Sequence, residues 1–479
     1  MTLPIEFSEY TQNLMGGELF GKYLRALEED APTSIRLNPF KCPEGTTVNP
    51  AVSREVTEVP WCPSTGRYIT ERPNFTFDPL LHAGLYYVQE AASMMVDLVI
   101  RQLVHQPVCM LDLCAAPGGK STALRAALPE GSLLFSNEPM KLRAQILSEN
   151  IQKFGNPDVI VTNNYPADYR KAKMEFDIIL ADVPCSGEGM FRKDEGAIKE
   201  WSVQNVDKCR HLQREIISDI WGCLKPGGHL IYSTCTFNAH EDEENVAWIA
   251  EELGAKFVEP GIEEGWNITG SLIGEHPVCR FIPGKTSGEG LFMAVLQKDG
   301  EADTEPWEDR KKDKKGKKGK ADKKANRQPS MSIPAHWLKE DQPMTPATIN
   351  DCLYAIPERW RATFDEAVKG LKVIHAGVKV GQQKGKDLIP DQSLALSTLL
   401  YKESFPKADL SYAEAVRFLR KESVTLPEGT PCGFVLVTYR GIPLGWEKNI
   451  GNRANNLYPQ EWKIKSTHIP EGDNNILTW

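Results

Sequence analysis

What this 479-residue chain lacks narrows the choices first. Its eleven cysteines include no C-x-x-C pair, which excludes the common zinc-cluster spacings and argues against a disulfide framework in a chain this long. Most of them, such as Cys109, Cys223 and Cys352, read as small core filler. No run reaches the ~18 apolar residues of a membrane span. The start "MTLPIEFSEY" has no basic segment ahead of an apolar one. A cytoplasmic protein with no membrane partner is expected. With 41% hydrophobic, 9% aromatic and 25% charged residues, the chain has the composition of a folded globular protein. Its length suggests two to four domains.

The net charge of -9 hides an uneven distribution. "RKKDKKGKKGKADKKANR", from Arg310 to Arg327, carries eleven basic and two acidic residues. Such a block repels itself and offers nothing to bury, so it reads as a disordered linker spanning residues 299–332. It serves as a solubilising tether or as an arm that contacts phosphates.

Residues 1–85 mix a helical start with strands and turn-forming prolines, reading as a small α+β unit. The stretch "YYVQEAASMMVDLVIRQL" then has the spacing of a helix. Short apolar runs follow ("VCMLDLCA", "SLLFSNE", "DVIVTNN", "DIILADV", "GHLIYSTCT", "GLFMAVLQK"), and amphipathic segments separate them. This alternation predicts an α/β fold with a parallel, doubly wound sheet over residues 86–298. The last run, arriving late, fits an antiparallel strand. Residues 333–425 read as an α+β subdomain. Residues 426–479 read as β-rich, with a hairpin at Arg440 and Gly441.

Ligands of such sheets sit at the carboxyl ends of the strands. The first strand runs into "CAAPGGKST", whose Gly118 and Gly119 permit close approach by a ligand, and whose helix presents its amides. The spacing is neither a phosphate loop nor a dinucleotide fingerprint. Glu138 ends the second strand, where a carboxylate grips ribose hydroxyls. Asn163 and Asn164 end the third and Asp182 the fourth. Together these favour S-adenosylmethionine over a nicotinamide, with no metal. The fourth strand continues as Asp-Val-Pro-Cys rather than the Asn-Pro-Pro-aromatic segment of amine methylases. Carbon 5 of a pyrimidine needs a nucleophile added at carbon 6 first, and a thiolate is a natural choice. It also needs an acid near the ring nitrogen, which Asp182 offers if burial keeps it protonated or a neighbour supplies the proton. Cys185 and Cys235 each follow a strand end, and from spacing alone either could be the nucleophile.

At "YYVQEAASM", "LDLCAAPGGKS", "NE", "DVPCSGEGMFRKD", "LKPGGHLIYSTCT" and "GLFMAVLQK" the chain resembles the RNA cytosine-5 methyltransferases of the NOL1/NOP2/Sun family. The resemblance implies a Rossmann-like S-adenosylmethionine-dependent sheet. It implies Cys235 as nucleophile and Cys185 as the thiol that helps release product. It implies donor contacts from Ala115, Ala116, Pro117, Gly118, Gly119, Lys120, Ser121, Glu138 and Asp182. Where relatives often carry an Asp after the third strand this chain has "TNN", which leaves Asn163 or Asn164 as the candidates. "TSIRLNPFK" is similar to the family's N-terminal RNA-binding element. "GIPLGWEKNIGNRANNLYP" is similar to the PUA-like segment of bacterial small-subunit rRNA enzymes. The implied partner is ribosomal RNA or the small ribosomal subunit, bound by a monomer. The rivals are a tRNA or large-subunit cytosine methyltransferase and a non-catalytic ribosome-assembly factor. Arg36, Arg67, Lys120, Arg192, Lys193, the linker, Lys448 and Arg453 are expected to form one positive track across an otherwise acidic body.

Overall fold

The computed structural model describes residues 2–301, 331–467, 469 and 472–479, so most of the expected basic linker lies outside the described residues. Helix α1 (Ile5–Ala26) is interrupted at Gly16, whose φ of 75° a side chain would disfavour. A four-stranded antiparallel sheet follows. It comprises β1 (Thr33–Leu37), β2 (Val56–Glu58), β3 (Gly66–Ile69) and β4 (Tyr86–Val88), in the order β2-β3-β1-β4.

Strand β4 corrects one expectation. The helix foreseen over 86–103 occupies only Met95–Leu103 (α2). The Tyr-Tyr-Val run favours a strand, and it finds backbone partners in Ile35, Arg36 and Leu37. Glu90 then accepts from the amides of Ala92 and Ser93 and turns the chain into α2. The N-terminal sheet therefore runs past residue 85.

The central sheet contains β5 (Cys109–Asp112), β6 (Leu133–Asn137), β7 (Val159–Thr162), β8 (Phe176–Asp182), β9 (Leu224–Thr234), β10 (Ala255–Val258) and β11 (Leu291–Lys298). Its helices include α3 (Gly119–Ala127), α4 (Lys141–Phe154), α5 (Val203–Trp221) and α6 (Glu243–Leu253). Strands β5, β6 and β7 are buried along their whole length, as expected for parallel strands covered on both faces. Strand β11 lies antiparallel between β9 and β10, as its late position implied.

An eighth strand, β12 (Val373–Ala376), comes from the C-terminal region and pairs antiparallel with β7. The full order is β10-β11-β9-β8-β5-β6-β7-β12, and Val278–Phe281 pairs onto β11. Arg359 reinforces the junction through both oxygens of Asp158, at 2.9 and 2.7 Å. The remaining strands of residues 344–390 form a separate antiparallel sheet.

The last sheet starts with β13 (Lys407–Leu410), which pairs parallel to β14 (Gly433–Tyr439), so its pairing crosses the expected division at residue 425. Strands β14 and β15 (Ile442–Asn449) form the foreseen hairpin. Arg440 and Gly441 have φ of 52° and 73°, as a two-residue turn of the hairpin type requires. Phe418, Leu419, Val437 and Tyr439 share a core with Ile35, Leu37, Phe77 and Leu80. The terminal Leu477–Thr478 pairs with Thr47–Val48. Among the described residues no helix is long and apolar enough to cross a membrane.

Glu447, in the middle of β15, is fully buried, and neither carboxyl oxygen has a hydrogen-bond partner. Burial raises its pKa from 4.5 to about 7. Between those values the folded chain holds a proton that the unfolded chain has released, so stability falls as pH rises through that window. Glu447→Gln should therefore raise the melting temperature by several degrees at pH 8 and leave it nearly unchanged at pH 4.5, measured by scanning calorimetry across pH.

Candidate active site

The loop after β5 is fastened on every side. Gly118 has φ of 114°, and a Cβ there would lie 3.3 Å from Leu147 Cδ1. Arg143 donates to the carbonyl of Ala116 (3.0 Å) and Asn150 to that of Pro117 (2.8 Å). The amide of Ala115 donates to Asn137 O (2.8 Å). Buried Asn137, which sequence reasoning passed over, donates to the carbonyls of Leu113 and Asn164 and accepts from Thr162 and Asn164. It staples the ends of three strands, a role visible only once β5, β6 and β7 are side by side. Asp112 accepts from Ser121 Oγ at 2.6 Å, and burial pushes its pKa up to about 7 against that hydrogen bond.

Glu138 sits at the tip of β6, 1% exposed. One oxygen accepts from the amide of Met140, and Oε2, paired with Arg143 at 3.3 Å, makes no hydrogen bond. A buried carboxylate oxygen with acceptor capacity to spare suits the hydroxyls of a ribose. Asp112 Oδ1 is likewise buried with no hydrogen-bond partner. The two acceptors and the tight glycine loop fit the donor group that the sequence implied.

The asparagines are used otherwise. Asn163 donates to the carbonyls of Glu138 and Pro139 and accepts from Lys372 Nζ at 2.7 Å. Asn164 accepts from the amide of Lys372 at 3.0 Å and directs its NH2 at the same residue's carbonyl. Both side chains lock the segment leading into β12, whose carbonyls and amides need partners at the sheet edge.

Strands β8 and β9 pair in parallel with Asp182 opposite Ser233. Cys185 and Cys235, three and two residues further on, therefore meet, and their sulfurs share a hydrogen bond at 3.1 Å. Both are free thiols, and the amide of Cys235 also donates to Cys185 Sγ at 3.3 Å. The hydrogen bond to Cys235, burial, and the charges of Cys235 and Glu241 together push the Cys185 thiol well above its ordinary pKa. Asp182 is not sealed in: its side chain is 29% exposed, and it accepts from Lys120 Nζ (2.8 Å) and Ser233 Oγ (2.6 Å). Burial works against the Lys120 ammonium, but the charge and hydrogen bond of Asp182 prevail and raise its pKa.

Beneath the thiols lies a buried polar network that the sequence did not reveal. Asn238 donates to Glu188, Glu241 and Thr236, while Glu188 accepts from the amides of Phe237 and Asn238. Glu241 accepts from the amide of Ser186 and from Gln213, which also donates to Pro184 O. The loops carrying the two cysteines are thus tied to one another. Arg280 anchors the far side, pairing with Asp242 and Glu243 and donating to Phe237 O. The string "NAHEDEEN" carries several of these groups, but nothing in its local pattern shows which of its acids the fold buries.

Among the described residues most of the cations expected in the positive track are spent on partners, and the linker it included lies outside them. Arg36 is 1% exposed and Arg192 pairs with buried Glu289. Lys120 is committed to Asp182, Lys193 to Glu289 and Lys448 to Asp387. Arg67 folds back on the carbonyls of Pro63 and Gly66. Arg453 alone of the named described residues is exposed with no ion pair. Burying the chain's large acidic complement requires counter-charges, and these side chains supply part of them.

The strand order, with one antiparallel strand inserted beside β9 and the donor loop after β5, defines a Rossmann-like S-adenosylmethionine-dependent methyltransferase. Residues 102–297 match the family described as 16S rRNA methyltransferase RsmB/F, residues 3–91 the N-terminal domain of 16S rRNA methyltransferase RsmF, and residues 405–464 the RsmF PUA domain. Ribosomal RNA small subunit methyltransferase F of Shigella dysenteriae is 30% identical over 465 residues, covering 92% of each chain. The protein of the same name from Vibrio atlanticus is 29% identical, covering 96% of this chain and 97% of its own. This chain belongs to the ribosomal RNA small subunit methyltransferase F (RsmF) family. NSun6 from Pyrococcus horikoshii, solved with SFG, shares the fold with a TM-score of 0.52 at 21% identity, over 62% of this chain and 99% of its own. A methyltransferase homolog from the same organism gives 0.51 at 24% identity, over 61% and 94%.

Asn238→Ala should cost about 1–3 kcal/mol, because Glu188 and Glu241 lose a buried donor. A denaturant titration of the full chain checks it, and an unchanged midpoint would show that the network does not hold the two loops.

Proposed function

We propose that this chain methylates carbon 5 of a cytosine in 16S rRNA, with Cys235 as nucleophile. The observation that carries the reading is the contact of two free thiols beside a carboxylate that already holds a lysine proton donor. S-adenosylmethionine, bound by Ala115 to Ser121 and Glu138, supplies an electrophilic methyl group. The residues of the chain do the rest. As a thiolate, Cys235 forms a bond to carbon 6. Asp182 takes a proton from the Lys120 ammonium that contacts it and gives it to nitrogen 3, neutralising the charge that develops there. Carbon 5 becomes nucleophilic and takes the methyl group.

The same step changes Cys185. The hydrogen bond and charge of Cys235 help hold the Cys185 proton, and the new carbon–sulfur bond removes both influences. Cys185 then gives its proton to solvent and, as a thiolate, takes the proton from carbon 5. The freed electron pair restores the 5,6 double bond and expels Cys235 as thiolate; nitrogen 3 returns its proton to Asp182, which passes it back to Lys120.

In this reading the N-terminal unit, extended from residues 1–85 to include the strand Tyr86–Val88, and the PUA-like segment, extended from 426–479 to include Lys407–Leu410, hold the RNA; the rest of 86–298 carries out the chemistry, 299–332 is a linker, and the protein works in the cytoplasm. Cys235→Ala should lose at least about a thousandfold in turnover and form no covalent complex. Cys185→Ala should trap a protein–RNA adduct that survives denaturing electrophoresis. Adduct formed by Cys235→Ala would reverse the two roles. Bisulfite sequencing of rRNA and tRNA from cells lacking the gene should show one 16S cytosine losing its mark; loss from tRNA or the large subunit instead would move the substrate.

A further inference from the structure

A cavity of about 260 Å³ lies on the N-terminal side of the donor loop, where β1 and β4 meet α3 and α4. Its walls include Arg36, Tyr87, Thr122, Asn150 and Lys153. Arg36 is 1% exposed, and it forms no ion pair among the described residues. Its hydrogen bonds reach only neutral acceptors: Gln89 Oε1 at 2.7 Å, Thr122 Oγ1 at 2.5 Å and the carbonyl of Gly119 at 3.5 Å. Nη1 has no hydrogen-bond partner. Arg280, buried just as deeply, sits against two carboxylates. Arg125, also buried without a carboxylate in ion-pair contact, leaves Nε unpartnered but spends its other two nitrogens on the carbonyls of Leu128, Pro129 and Ser132 at a helix end.

A guanidinium withdrawn from water with no carboxylate in ion-pair contact is costly, and an anion in the cavity would offset that cost. The other cation of the cavity is Lys153, paired with Glu149 at 2.5 Å. The space takes a phosphate and part of a sugar, and a guanidinium fork matches phosphate oxygens.

We propose that this cavity is a phosphate-binding site, with Arg36 and Lys153 as its cationic ligands. Arg36 also holds Thr122 and Gly119, so the bound anion would sit directly behind the loop that receives the methyl donor. A backbone phosphate of RNA and a free nucleoside monophosphate both present this group.

Isothermal titration of the full-length protein with inorganic phosphate, cytidine 5′-monophosphate and cytidine tests the site. Phosphate and the monophosphate should bind and cytidine should not. Arg36→Lys and Lys153→Met should each weaken binding tenfold or more; should Arg36→Lys fail to fold, Lys153→Met decides. Competition by a single-stranded RNA oligonucleotide assigns the phosphate to RNA, and its failure to compete assigns it to a free nucleotide; both outcomes support the site. No binding of phosphate or monophosphate at millimolar concentration, equal binding of cytidine, or binding indifferent to both substitutions overturns the proposal. In those cases Arg36 is only a brace on the donor loop. None of these readouts depends on methyl transfer, so the site and the proposed reaction can fail separately.

Discussion

The parallel pairing of β8 with β9, with Asp182 opposite Ser233, is the constraint on which the site depends. It brings together two cysteines that lie fifty residues apart in the chain, and it places the hydroxyl of Ser233 on Asp182. A one-residue slip would turn every side chain of β9 to the other face and separate the thiols. The buried network around Asn238 then keeps the loops beyond the strands from drifting. Such a network earns its cost only when nearly every member is satisfied, and here almost every donor has its acceptor.

The regions on either side of the catalytic sheet are bound to it closely. Arg36 reaches the start of α3, and Lys41 donates to the carbonyls of Ala83 and Lys153 near the end of α4. Gly84 packs so near Lys153 O that a Cβ would stand 1.8 Å from it. On the opposite edge β12 completes the sheet. The helices that shape the donor site are therefore gripped at their ends by chain that performs none of the proposed chemistry.

Charge was the property the sequence misrepresented most. Composition invites a reading of lysines and arginines as surface, but several of the named cations are buried against acids or carbonyls. Which charge meets which is set by packing, because desolvation makes an unpartnered ion expensive and pulls partners together across the fold. Asn163 and Asn164 show the same effect at smaller scale. They stand at a strand end, and Lys372 engages both, its amide donating to Asn164 and its Nζ to Asn163, because an edge strand added more than two hundred residues later needs its ends closed.

Local pattern did determine a great deal. Alternating apolar runs and amphipathic segments set the α/β class, the late antiparallel strand and the order of the donor loop, Glu138, Asp182 and the two thiols, since each depends on a few neighbouring residues. The positive-φ turn at Arg440 and Gly441 was equally local. Tertiary structure alone decided that the thiols touch, that Tyr86–Val88 leave the helix for a sheet, that β12 joins the catalytic core, and that Asn238 and Asn137 hold the site. These are pairings across long stretches of chain, and no periodicity within a segment records the partner that will satisfy its backbone or its charge.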